Sequence, residues 1–320
     1  MTHRFQFYAK LVFCWGIWMQ GKVIPDAARH FRTGWLMAVI GTALFALKSI
    51  FIKLAYAQGV DTLTLLTLRM LVAAPFYALI LVWLVRQPST VKVLPKELAV
   101  VMGLGFIGYY VSAWLDMQAL NYISAQLERL TLYTYPIMTT LLGWLWLREK
   151  ITARLWLALL LTYGGVMVLY SHEARLGGTN VSLGVMLVAA AALIFAFYIV
   201  LSKRLIGRLG STLFTSIAML SSTLFVFTHF FFTHPLAALG VNATAWGYAL
   251  LLGIVSTVLP SFMISEAIAR IGAARTSIVG TFGPIMTIGL AVLLLGEPFG
   301  WWHLAGMLLV IAGVGLLGKR

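Results

Sequence analysis

Six ionisable side chains stand inside otherwise apolar runs: Lys48, Lys53, Arg69, Asp116, Glu128 and Arg129. A charge at the centre of a membrane helix costs about 2.5–3.5 kcal/mol on the insertion scale, so each needs a partner, water or a snorkelling route. Four cations against two carboxylates leave a balance of +2. A partly dehydrated vestibule with that bias favours a carboxylate or phosphate, and the expected substrate is a small anion or zwitterion. The same residues admit a plainer arrangement. In it Lys53 snorkels outward, Glu128 and Arg129 sit at the interface, and only Lys48 and Arg69 are buried.

Glu128, Thr131, Tyr135 and Thr139 follow one another at offsets of three, four and four. That spacing stacks them on one helical face, beside a backbone carbonyl that Pro136 leaves without a donor. A polar stripe in an apolar span faces protein or water. Thr287, with Thr276 and Gly283, makes a smaller, less charged wall in a later span, and Tyr109, Tyr110 and Trp114 can line the same path. The candidate substrate-binding set is therefore Lys48, Arg69, Tyr109, Trp114, Glu128, Thr131, Tyr135, Thr139 and Thr287. Glu128 is also the candidate proton-coupling residue, because a carboxylate moved between wet and dry surroundings changes its proton affinity. The alternative for Glu128 is a static ion pair with Lys53 or Arg69. Helix packing explains Ser256, Thr257, Ser261 and Ser265 as well as a lining role does, with Pro260 letting that span bend. Glu266, one turn before Arg270, reads as half of a surface pair. Glu149 and Glu297 read as carboxylates that complement the dipoles of the helices they precede.

Other chemistry finds no support. Cys14 is the single cysteine, which excludes a disulfide framework and a cysteine-based metal cluster. The six histidines have no ligand spacing, and His229 and His234 fit an aromatic belt or a surface. Gly103-Leu104-Gly105-Phe106-Ile107-Gly108 matches a dinucleotide-loop pattern but lies within an apolar span with no preceding strand, so close helix packing is its expected role. No catalytic residue, metal or cofactor is expected. A lipid-modifying membrane enzyme would need a nucleophile with its base, or a metal set, at membrane depth, and neither stands out.

The elements that must position these residues follow from composition. Apolar residues make up 61% of the 320 and charged residues 10%, with a mean hydropathy of +0.95. Too little polar surface remains to coat a soluble globule, so lipid is the expected surroundings. The net charge of +14 does not indicate nucleic acid, because the basic residues sit in loops between apolar runs. Apolar stretches of spanning length fall at 35–57, 63–85, 98–120, 125–147, 153–171, 182–202, 211–233, 245–268, 275–295 and 300–317. The expected fold is all-α and integral to the membrane, with ten transmembrane helices. Lys and Arg crowd alternate loops, from Arg86, Lys92 and Lys96 to Lys203, Arg204 and Arg208, and the opposite loops hold only Arg175. Such loops stay cytoplasmic, so both termini are expected inside. Residues 1–33 read as a cytoplasmic or interfacial extension, in which the apolar run Leu11 to Met19 is too short to span.

The chain also repeats itself. Pro136-Ile137-Met138-Thr139 recurs as Pro284-Ile285-Met286-Thr287, and the same offset, 284 − 136 = 148, pairs Gly105 with Gly253, Glu149 with Glu297 and Gly165 with Gly313. An offset of 150 pairs Gly34 with Gly184 and Lys53 with Lys203. Residues 34–172 thus read as one five-helix repeat and 181–318 as a second. Five is odd, so the second copy is expected to enter the membrane inverted, which suits alternating access.

The duplicated lysines, the prolines of the fourth and ninth spans and the glutamates that follow them resemble the EamA branch of the drug/metabolite transporter superfamily. The stretch Ile123-Ser124-Ala125-Gln126-Leu127-Glu128-Arg129-Leu130, running on to Tyr135-Pro136, looks like a subset of its bacterial members. The resemblance implies a ten-helix carrier of the bacterial inner membrane. It would export metabolites such as amino acids or their derivatives, coupled to an ion gradient or to exchange. Partners are then the small substrate and membrane lipid, with a homodimer left open. The competing readings are a lipid or multidrug exporter with an apolar cavity, a channel, and the membrane enzyme above.

Overall fold

The computed structural model of the chain describes residues 27–88, 90–147, 153–175 and 180–318. Leu11 to Met19 and Glu149 lie outside these residues. Among the described residues the regular structure is entirely helical. The first half contains α1 (Ala27–Tyr56), α2 (Thr62–Val85) and α3 (Pro95–Gly105), which passes through a π turn at Phe106–Val111 into α4 (Ser112–Ala119). It continues with α5 (Ala125–Leu132), α6 (Tyr135–Leu147) and α7 (Ala153–Arg175). The second half contains α8 (Val181–Leu209), α9 (Ser211–Thr233) and α10 (Ala243–Leu250), which passes through a π turn at Leu251–Val258 into α11 (Leu259–Ile271). It ends with α12 (Ala273–Gly280), α13 (Gly283–Leu295) and α14 (Trp301–Gly318).

Among the described residues seven helical runs are long and apolar enough to cross a membrane: Phe31–Tyr56, Thr62–Val85, Pro95–Ala119, Leu155–Arg175, Val181–Leu209, Ser211–Thr233 and Ala243–Ile268. Gly283–Leu295 and Trp301–Leu316 are shorter apolar helices. The chain is thus a multi-pass membrane protein, but not a set of ten unbroken helices. The runs expected at 125–147 and 275–295 are each broken in two. The cause is local: proline lacks an N–H, and its ring clashes with the carbonyl four residues earlier. Pro136 and Pro284 therefore oppose helix at 136 − 4 = 132 and 284 − 4 = 280, and α5 ends at Leu132 and α12 at Gly280. The hydroxyl of Tyr133 donates to the freed carbonyl of Gly280, and that of Thr134 donates to the carbonyl of Thr131 at 2.8 Å.

Packing follows the sequence repeat. The α1 helix lies against α11 and α13, while its counterpart α8 lies against α4 and α6. The α2 helix packs on its counterpart α9, and α7 on α14. Paired glycines make equivalent close approaches: a Cβ on Gly34 would stand 2.7 Å from Ile271, and one on Gly184 2.6 Å from Ile123, where 271 − 123 = 148. In the loop-like pattern around Gly103, only two glycines are needed for packing. Gly105 abuts the backbone of Ala218 and Gly108 the ring of Tyr198, whereas nothing approaches Gly103.

The two ends of the bundle differ in charge. One gathers Arg208 against Glu97, Arg270 on Glu266 at 2.8 Å, and Arg275 over the ring of Phe31. At the other, Asp61 caps α2 by accepting from the N–H groups of Leu63 and Thr64 and lies 3.4 Å from His234. Partial burial alone would raise the Asp61 pKa, but these hydrogen bonds and His234 outweigh it and hold the carboxyl below its ordinary value. The cap is therefore present above the ordinary carboxylate range and is lost as pH falls through the depressed value.

The glycines give a signed test. Gly105→Ala should destabilise by about 1–3 kcal/mol through overpacking, whereas Gly103→Ala should be neutral or stabilising by up to about 1 kcal/mol through helix propensity. Apparent melting temperatures of the purified variants, lowered for Gly105→Ala and unchanged or raised for Gly103→Ala, would verify this packing.

Candidate functional site

A network of buried charges lies where α1, α2, α4 and α5 meet. Lys48 on α1 places its Nζ 2.5 Å from Oδ2 of Asp116 on α4 and 3.8 Å from Oε1 of Glu128 on α5. The hydroxyl of Ser49 donates to Oε2 of Glu128 at 2.6 Å. Glu128 is fully buried and Arg129 is 8% exposed, so the plainer arrangement with both residues at the interface does not hold. Nor is Lys53 or Arg69 the partner of Glu128. Lys53 instead lies 3.9 Å from Glu297.

The two arginines bridge the halves of the chain. Arg69 Nε donates to Thr257 Oγ1 at 2.9 Å, and Arg129 Nε donates to Thr287 Oγ1 at 2.9 Å. Thr257 sits in the second π turn, where its hydroxyl also donates to the carbonyl of Leu252 at 2.8 Å. The turn thus fixes the oxygen that Arg69 meets, a use of local helix irregularity typical of functional sites. Among the described residues neither guanidinium forms an ion pair with a carboxylate. With Lys53 drawn away by Glu297, the inner cluster is Lys48, Arg69 and Arg129 against Asp116 and Glu128, or 3 − 2 = +1 when both acids are ionised. The expected +2 is corrected by that one ion pair.

The remaining candidates divide. Thr287 is fully buried and belongs to the network through Arg129. Tyr109 lies near Arg69 and accepts a hydrogen bond from the Tyr198 hydroxyl at 3.1 Å. Thr131 is buried, and its hydroxyl has no hydrogen-bond partner among the described residues. Tyr135 packs edge-on against Phe195, with ring centres 5.3 Å apart. Thr139 donates to the carbonyl of Tyr135 within its own helix at 2.8 Å. The break at Tyr133 and Thr134 separates Glu128 and Thr131 from Tyr135 and Thr139, so the four do not form one continuous helical face. Trp114 stands apart from the charges beside His229, whose Nδ1 lies 2.7 Å from the Tyr110 hydroxyl. A cavity of 310 Å³, lined by Met167, Val168, Ser171, His172, Arg175 and Trp302, reaches none of the network.

Ser49 and the roles of Asp116, Arg129 and Thr257 are absent from the sequence-based site. Asp116 and Arg129 carried the signal of charge in an apolar run, whereas Ser49 had only its place beside Lys48. Glu297 also acts differently from the expectation that it serves the helix it precedes. Its carboxylate accepts from the N–H groups of Ala125 at 2.8 Å and Gln126 at 3.3 Å, capping α5 in the other half.

The EamA-like transporter family matches two stretches of the chain, residues 32–171 and 182–318. The uncharacterized transporter YcbK of Bacillus subtilis is 29% identical over 299 residues, which cover 89% of this chain and 94% of that protein. The uncharacterized transporter sll1319 of Synechocystis is 25% identical over 310 residues, covering 89% and 92%. A solved structure, described as the crystal structure of a protein, aligns with a TM-score of 0.61 over 89% of this chain and 96% of that one. At 17% identity that likeness concerns the fold alone.

Glu297→Ala should leave the Ala125 and Gln126 N–H groups without their acceptor, with Ser124 still capping Leu127, and release Lys53, at a cost of about 1–2 kcal/mol. The measurement is thermal unfolding of the purified protein, in which Glu297→Gln, keeping one acceptor, should lose less.

Proposed function

The chain belongs to the EamA-like transporter family, and from that premise we propose that it is a secondary-active carrier exporting a small anionic or zwitterionic metabolite, an amino acid or a relative of one. Alternating access across a bacterial inner membrane is the mechanism we assign. Ten crossings result when the α5–α6 and α12–α13 pairs each count as one broken span and α14 as the last. The exchange of packing partners between halves supports two inverted five-helix repeats. The cation-rich end, facing the cytoplasm by the positive-inside rule, would carry both termini.

The observation that carries the substrate class is the pair Arg69 and Arg129. An unpaired buried charge is costly, and the Nε bonds these guanidinium groups make are to neutral hydroxyls contributed by the second half, while Nη1 of Arg69 lies 4.0 Å from the sulfur of Met117. A substrate carboxylate or phosphate held between them supplies the missing counter-charge, and the planar donor fork suits two-point recognition of either group. Discontinuous helices beside such a site are a recurring feature of carriers, because irregular backbone is tolerated at membrane depth only within protein or along a cavity.

Counterflow in proteoliposomes tests this reading, with labelled amino acids and small organic anions offered to the wild type, Arg69→Gln and Arg129→Gln. The expected result is saturable exchange of at least one compound, reduced tenfold or more in each variant while the protein stays monodisperse. Unaltered exchange in both variants would remove the arginines from the substrate site, and none across the panel by folded wild type would favour an apolar cargo instead.

A further inference from the structure

Two buried oxygens at the centre of the network have no donor among the described residues: Oδ1 of Asp116 and Oε1 of Glu128. They belong to carboxylates that approach the same ammonium, Lys48 Nζ, Asp116 at 2.5 Å and Glu128 at 3.8 Å. The two side chains are also close enough to hydrogen-bond to each other once either carries a proton. A buried acceptor without a donor is costly, and two adjacent carboxylates resist ionising together. One proton removes both penalties. Placed between the two carboxyl groups, it makes one a donor and the other its acceptor.

We propose that Asp116 and Glu128 form a single proton-binding site, in which one proton is shared between the two carboxyl groups and Lys48 balances the remaining negative charge. Ser49 shapes the site from α1, since its hydrogen bond to Oε2 favours the ionised form of Glu128. The ionisable groups facing the pair are Lys48 and Tyr56 from α1, Arg69 from α2 and Arg129 from α5, while α13 presents the uncharged Thr287 through Arg129. Lys48 and Ser49 ride on α1, and the two acids on α4 and α5. Any shift of α1 against those helices therefore changes the proton affinity of the pair. As the coupling ion of transport, the proton rests on the carrier reading above; the shared-proton site does not.

Infrared spectroscopy of the full-length purified protein tests it without a substrate. Wild type should show, at neutral pH, the carbonyl stretch of a protonated carboxylic acid that shifts in deuterated water and disappears on alkaline titration. Glu128→Gln and Asp116→Asn should each abolish that band at the same pH, because the surviving carboxylate then has Lys48 to itself and ionises. Ser49→Ala keeps both acids, so it guards against a folding failure in the other two, and its band should persist to higher pH. Absence of the band from wild type, its survival in Asp116→Asn, or an unmoved titration in Ser49→Ala would each overturn the proposal. Counterflow can fail with the band present, or succeed with it absent, so the two readings fail separately.

Discussion

Hydrocarbon offers a buried charge neither a counter-ion nor a hydrogen-bond donor, so every charge at depth must be balanced by the protein. Here that constraint falls mainly on Lys48. Its helix, α1, packs against α11 and α13 of the second half far more than against its own half. The polar link back to α4 and α5 runs through Lys48 and Ser49 to Asp116 and Glu128, beside an apolar cluster that Ile50 and Ile52 share with Met117 and Ala125. By the repeat, α8 similarly leaves its own half to pack on α4 and α6. The charged network thus joins a group built around α1 to a group built around α8. Apolar packing inside each group is hard to rearrange, whereas an ion pair can be re-made with a proton or a substrate anion in place of one partner.

Much of this was legible in the sequence, for physical reasons. Charges in apolar runs stand out because membrane insertion penalises them, and five of the six so identified meet in the network. The repeat was legible because close packing and helix breaking demand particular residues: glycine at Gly34 and Gly184, proline at Pro136 and Pro284. Pairings were not legible. Spacing places Glu128 near the start of a helix but does not say which of four cations reaches it, because that depends on how α1 crosses α4 and α5. Nor does the 3.6-residue period reveal where a helix stops, so the stripe from Glu128 to Thr139 looked continuous although Pro136 had already ended the first helix at Leu132. The π turns left no readable mark, and with them went the placement of Thr257.

The scaffold is repeated but the chemistry is not. At the offset of 148, Asp116 corresponds to Ile264 and Glu128 to Thr276, so the second half lacks both acids while keeping the glycines and the proline of the break. A motion in which each half takes the other's conformation requires equivalent backbones and equivalent close contacts. It places no such demand on the ligand site, which needs only one set of charges. The second half accordingly contributes hydroxyls, Thr257 and Thr287, at 2.9 Å from the two arginine Nε atoms. Each of these bonds crosses between the halves and is weaker than an ion pair. Replacing them with carboxylates would neutralise the arginines permanently and lock the halves together. Neutral partners leave both guanidinium charges available to a substrate and leave the contact between halves able to break, two requirements that a static structural network would not share.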